Sequence, residues 1–126
     1  MIPRRLLFAL CLLLTPAFAS AHGPARGPNG GQTQDLAGGH VELVARGPEL
    51  VLYLFDAQNK PMPATGATAT ATVLAAGQQQ TVALVAGDGN ALRGNGSFAA
   101  APGLKVVVSL TLPGQRPQLG RFTPLN

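Results

Sequence analysis

His40-Val41-Glu42-Leu43-Val44-Ala45-Arg46, a Gly47-Pro48 break, then Glu49-Leu50-Val51-Leu52-Tyr53-Leu54-Phe55-Asp56: this stretch decides the fold class. Side chains in a strand alternate between faces, so a period of two marks a half-buried strand. In the first segment Val41, Leu43 and Ala45 share one face, and His40, Glu42 and Val44 share the other. The second segment is apolar on both faces, which suits a central strand. The short Gly47-Pro48 gap turns the pair into an antiparallel hairpin.

The same signals recur towards the C-terminal side. Thr68 to Leu74 alternates threonine with alanine and then ends Val-Leu, which predicts a strand. Thr81 to Ala86 follows, and Gly87-Asp88-Gly89-Asn90 forms a tight turn. Leu92 to Phe98 is interrupted by Gly94 and Gly96 and reads as a bulged or edge strand. Leu104 to Leu112 carries Val106-Val107-Val108, and Leu119 to Phe122 gives a short last strand. The expectation is an all-β fold, an antiparallel, immunoglobulin-like β-sandwich of six to seven short strands. With Tyr53, Phe55, Phe98 and Phe122 as the aromatic residues beyond residue 21, its core must be mainly leucine and valine.

Residues 1–21 read as a secretory signal peptide: Arg4 and Arg5, an apolar run from Leu6 to Leu14, Pro16, then small residues. The apolar run is far short of the roughly 20 residues a membrane span needs. No membrane span is therefore expected after cleavage, and the expected location is the periplasm. Two cut sites satisfy the small-x-small rule, one leaving Ser20 first and the other His22. Cys11 is removed with the signal, so no thiolate ligand or disulfide is expected. A chain starting at His22 has 105 residues, enough for one small domain. Residues 22–39 hold much glycine and proline without periodicity and read as a flexible arm, with the sandwich spanning 40–126.

Charge narrows the function. The seven basic residues beyond the signal, among them Arg26, Lys60 and Arg121, are spread singly against five acidic ones. No basic patch with interleaved aromatics exists, so nucleic acid is not an expected partner. No serine, histidine and aspartate set assembles a nucleophile, and no enzyme activity is expected. Asp88 reads as a turn residue rather than part of a calcium loop. A closed zinc site wants four cysteine or histidine ligands, which the chain lacks.

What remains is a pair of histidines. A chain beginning at His22 offers a metal its α-amino group and its imidazole Nδ1 together. A second histidine opposite completes a three-nitrogen set, which suits the tetragonal preference of copper(II). His40 is the only other histidine, and Asp35 or Glu42 offers a weaker axial oxygen. Glu42 lies two residues from His40 on one strand face, so both side chains can point at one ion. Closing the 18-residue step from His22 to His40 costs about 2–3 kcal/mol in loop entropy. Met62, between Pro61 and Pro63, reads as ordinary packing rather than a copper(I) ligand.

The segments Gly27-Pro28-Asn29-Gly30-Gly31, His40-Val41-Glu42-Leu43 and Leu52-Tyr53-Leu54-Phe55-Asp56, with Asn59-Lys60-Pro61, carry a resemblance. The chain resembles small bacterial periplasmic proteins and domains associated with the adaptor subunits of heavy-metal efflux systems. That resemblance implies a periplasmic sandwich linked to copper resistance, with His40 and Glu42 on the matching strand. His22 is similar to the N-terminal histidine of the copper-resistance protein C family, whose downstream Asp-x-His pattern is missing here. The expected sites are thus metal sites at His22, His40 and Glu42, with copper as cofactor and an efflux adaptor as partner. An alternative reading is an interaction module that binds no metal and docks on an adaptor or another envelope protein through a strand edge.

Overall fold

The computed structural model describes residues 25–126, which form eight strands and no helix. In chain order they are β1 (Gln32–Leu36), β2 (Gly39–Arg46), β3 (Glu49–Phe55), β4 (Thr68–Ala75), β5 (Gln78–Ala86), β6 (Ala91–Asn95), β7 (Lys105–Thr111) and β8 (Gln118–Phe122). They lie side by side in the order β1-β2-β3-β6-β5-β4-β7-β8, every neighbouring pair antiparallel.

The β2–β3 hairpin forms as the alternation predicts. Its register sets Val41 opposite Leu54, Leu43 opposite Leu52 and Ala45 opposite Leu50. These residues face the core, and all but the half-buried Ala45 are almost fully buried. The other face is apolar too, with Val44 opposite Val51 and both buried. Leu84, Leu92, Leu104 and Leu110 with Val73, Val82, Val106 and Val108 complete the leucine and valine core, and Phe122 is its largest member. Each such side chain contributes roughly 1.5–3 kcal/mol through burial. Met62 packs against this core.

The strands do not make two clearly separate sheets. They curl into a nearly closed barrel, and this corrects the sandwich expectation. At one corner β5 pairs β6 over only Val85–Arg93 and Ala86–Leu92. Beyond those rungs the two strands cross closely. A Cβ at Gly94 would fall 2.2 Å from the Ala83 carbonyl oxygen, so only glycine fits. The interruption at Gly94 therefore marks a corner, and β6 is a central strand between β3 and β5 rather than an edge.

At the other corner β8 returns to β1, and side chains replace the backbone ladder. The Thr123 amide donates to Gln32 Oε1 at 2.6 Å, and the Ala37 amide donates to Gln118 Oε1 at 2.9 Å. Between them Gln34 Nε2 donates to the Arg121 carbonyl. The three contacts advance along β1 while receding along β8, so the two strands face each other antiparallel. Glutamine side chains span a gap too wide for rungs.

β1 itself lies inside the stretch expected to be a flexible arm. Its sequence Gln32-Thr33-Gln34-Asp35-Leu36 holds one apolar residue, so no alternation shows. It is a strand because β2 supplies a partner along its whole length. No helix among the described residues is long and apolar enough to cross a membrane.

Candidate functional site

The hairpin joining β1 to β2 builds the site around His40. Ala37 and Gly38 take positive φ values of 56° and 78°, the two-residue turn that matches strand twist. This turn sets Leu36 opposite Gly39 and therefore Asp35 opposite His40. Both side chains stand on the outer face, in one row with Phe55 on β3. His40 Nδ1 and Asp35 Oδ1 are 2.6 Å apart. With the proton on Nδ1 the ring donates to the carboxylate and keeps Nε2 as its acceptor. The His40 side chain is 34% exposed and that of Asp35 88%.

An open depression of about 480 Å³ adjoins the pair, lined by Asp35, Leu36, Gly39, His40, Ala57 and Gln118. A second cleft of about 300 Å³ reaches His40 from the side of Arg26, Pro28 and Asn59. His40 is thus a surface ring between two hollows, held at one nitrogen.

Glu42 lies one outer-face step along β2 from His40, and its environment is quite different. It is 0% exposed. Its carboxylate accepts from the Asn29 amide at 2.9 Å, from Asn29 Nδ2 at 2.9 Å and from the Gly31 amide at 2.8 Å. Among the described residues no cation lies within ion-pair distance of it. Buried carboxylates need hydrogen bonds to stay charged, and here a tight loop supplies them. Residues 27–31 wrap the carboxylate closely. A Cβ on Gly27 would sit 2.4 Å from Glu42 Cδ. Glu42 is therefore the clasp for this loop, and its oxygens are occupied by Asn29 and Gly31.

The chain just before the loop is also tied down. Gly27 donates to the Gly31 carbonyl at 2.9 Å, and the Thr33 amide donates to the Ala25 carbonyl at 2.9 Å. Arg26 bridges to Gln32 across the same pairing. The Arg26 guanidinium reaches the carbonyl oxygens of Pro124 at 2.8 Å and Asn126 at 2.6 Å. Residues 25–31 thus form a clasped strap across the β1 side of the barrel.

Of the three metal-site residues expected from the sequence, His22 lies outside the described residues. The structure brings His40 together with Asp35 and engages Glu42 elsewhere. Among the described residues no three His, Cys, Asp or Glu side chains gather into one group. The sequence reading took Asp35 only as an axial oxygen and missed its bond to the imidazole. A two-residue turn placed at Ala37-Gly38 would have revealed it, since that turn fixes the Asp35–His40 register.

No family model matches the chain, and no curated protein or solved structure does. The functional reading rests on the geometry.

Proposed function

We propose that this is an exported periplasmic protein that binds copper(II) through His22 and His40 and accompanies heavy-metal resistance or efflux. The observation that supports it is the Asp35–His40 pair. Metal-ligating histidines commonly give their second ring nitrogen to a carboxylate, which fixes the tautomer and raises ligand basicity. Asp35 at 2.6 Å from His40 Nδ1 is such a carboxylate, leaving Nε2 for a metal. A chain cut before His22 adds an amine and an imidazole nitrogen to that one. Two residues separate His22 from Ala25, so the three chain steps reach at most about 10 Å, and Ala25 is already held against Thr33. The long loop between the two histidines is therefore largely closed before any metal arrives. Glu42 serves the site by clasping residues 27–31, not as a ligand. The partner in this reading is an efflux adaptor that delivers or receives the ion.

The test is copper(II) titration, followed by electron paramagnetic resonance, of protein whose intact mass starts at His22. One tight site with nitrogen couplings is expected, lost in His40→Ala. Equal affinity in His40→Ala would sink the reading.

One observation favours a second reading, an interaction module without a metal. Among the described residues the backbone of Asp35 on the outer edge of β1 has no hydrogen-bond partner. An extended segment of an adaptor could pair there by strand addition.

A further inference from the structure

We infer that Asn29-Gly30 is a modification site built into the clasp, where deamidation of Asn29 turns a donor that Glu42 holds into a second carboxylate and releases the strap irreversibly. The inference is independent of the copper reading.

Asparagine followed by glycine is open to attack by its own backbone, because glycine has no Cβ to hinder the approach of its amide nitrogen. The Gly30 nitrogen bonds to Asn29 Cγ, the Cγ–Nδ2 bond breaks, and the Gly30 amide proton leaves with Nδ2 as ammonia. Water then opens the cyclic imide at either carbonyl and leaves aspartate or isoaspartate. Water enters, ammonia departs, and no oxidant or reductant is needed. The sequence has two such pairs, Asn29-Gly30 and Asn95-Gly96.

The two differ in what the product meets. Asn95 is exposed at the end of β6, so a new charge there stays in water. Asn29 Nδ2, the atom lost, donates to Glu42 Oε1 at 2.9 Å, and Glu42 is 0% exposed. An oxygen in that place would set two carboxylates in contact, and like charges so close cannot both ionise. At neutral pH the new carboxylate regains water by swinging the loop outward. Isoaspartate also lengthens the main chain by a methylene, where the loop has no slack. A Cβ on Gly27 would lie 2.4 Å from Glu42 Cδ, and one on Gly31 2.4 Å from the Leu43 carbonyl oxygen.

The clasp also guards its own weak link. The attacking nitrogen, that of Gly30, donates to the Gly27 carbonyl at 3.0 Å. The departing nitrogen is held by Glu42. Both bonds must break before the ring can close, so the reaction runs from the open loop and its rate follows the opening equilibrium. Once converted, the loop no longer fits back over Glu42. Gly31 then leaves Val44, against which it packs, and the Arg26 bonds to Pro124 and Asn126 lose their anchor. The chain thus carries a one-way timer whose rate is set by how tightly Glu42 grips.

The experiment ages the whole protein at 37 °C and mildly alkaline pH. Peptide mapping by mass spectrometry, with isoaspartate labelling by its repair methyltransferase, follows Asn29 and Asn95 separately. Glu42→Gln, which keeps about half the clasp, should convert Asn29 about tenfold faster than the parent. Asn95 is the internal control and should keep its rate. The fraction of aged parent protein converted at Asn29 is then separated by ion exchange and its Gly31 amide exchange is measured. Exchange about tenfold or more faster than in unconverted protein is expected. Equal Asn29 rates in parent and Glu42→Gln, or an Asn29 that stays intact in both while Asn95 converts, would overturn the guarded site. A converted fraction whose Gly31 amide remains as protected as before would overturn the release.

Discussion

Replacing Glu42 with alanine tests the clasp most directly. The carboxylate accepts three N–H groups, from the Asn29 amide, Asn29 Nδ2 and the Gly31 amide, and it is wholly buried. The Gly31 amide is the most enclosed of the donors. Left without an acceptor it costs about 1–3 kcal/mol. The two Asn29 groups are only partly buried and regain water, so each adds about 0.5–1 kcal/mol. Truncation also relieves the desolvation of a buried charge, which offsets part of the lost side-chain packing. The expected loss is about 3 kcal/mol, a large share of a small domain's stability. For a domain of this size that lowers Tm by about 12–24 °C. Glu42→Gln keeps the shape and one acceptor oxygen but turns an NH₂ towards the donors, and should lose about half as much. Urea and thermal unfolding of both variants, read by circular dichroism, measure these differences. Hydrogen exchange at Gly31 should accelerate in both. If Glu42→Ala lies within about 0.5 kcal/mol of the parent, the carboxylate does not hold the strap and the reasoning fails.

Three further outcomes are expected. Asp35→Ala should weaken copper(II) binding about 10–100-fold while leaving stability within about 0.5 kcal/mol, because the Asp35 side chain is 88% exposed; isothermal titration and thermal melts check the two halves, and unchanged affinity would count against the orienting role. Gly94→Val should abolish folding, since its Cβ would meet the Ala83 carbonyl at 2.2 Å; a soluble variant with native dispersion in its NMR spectrum would contradict the corner geometry. Changing Gln32, Gln34 and Gln118 together to alanine should cost about 3 kcal/mol, near 1 kcal/mol for each lost bond. It should also raise self-association in light scattering, since two strand edges lose their covers.

Strands with a buried face were legible because burial writes a period of two into the sequence. Val41 to Ala45, Leu50 to Leu54 and Val106 to Leu110 are such runs, and each forms where expected. β1 was hidden because an edge strand whose glutamines bond sideways needs little apolar alternation. Barrel closure was hidden for the same reason, since Gln32, Gln34 and Gln118 look like ordinary surface residues in the sequence. Gly94 was visible as an interruption, but not as the point where two strand backbones nearly touch. At the site His40 was legible by its rarity. The parity argument correctly put Glu42 on His40's face, yet it could not show that Asn29 and Gly31 would fold over and occupy its oxygens.

The bonds from Arg26 to Pro124 and Asn126 bear on how the barrel can be attached to anything else. They bring residue 26 and residue 126, the two extremities of the described chain, to one spot on the surface. A domain fused directly before residue 25 or after residue 126 would leave from that spot. The outer faces of β4 and β5, in the other half of the strand order, would stay unobstructed. For the same reason residues 25 and 126 could be joined by a short linker and the chain reopened in the loop between β3 and β4, yielding a circular permutant of the described barrel with the same neighbours throughout.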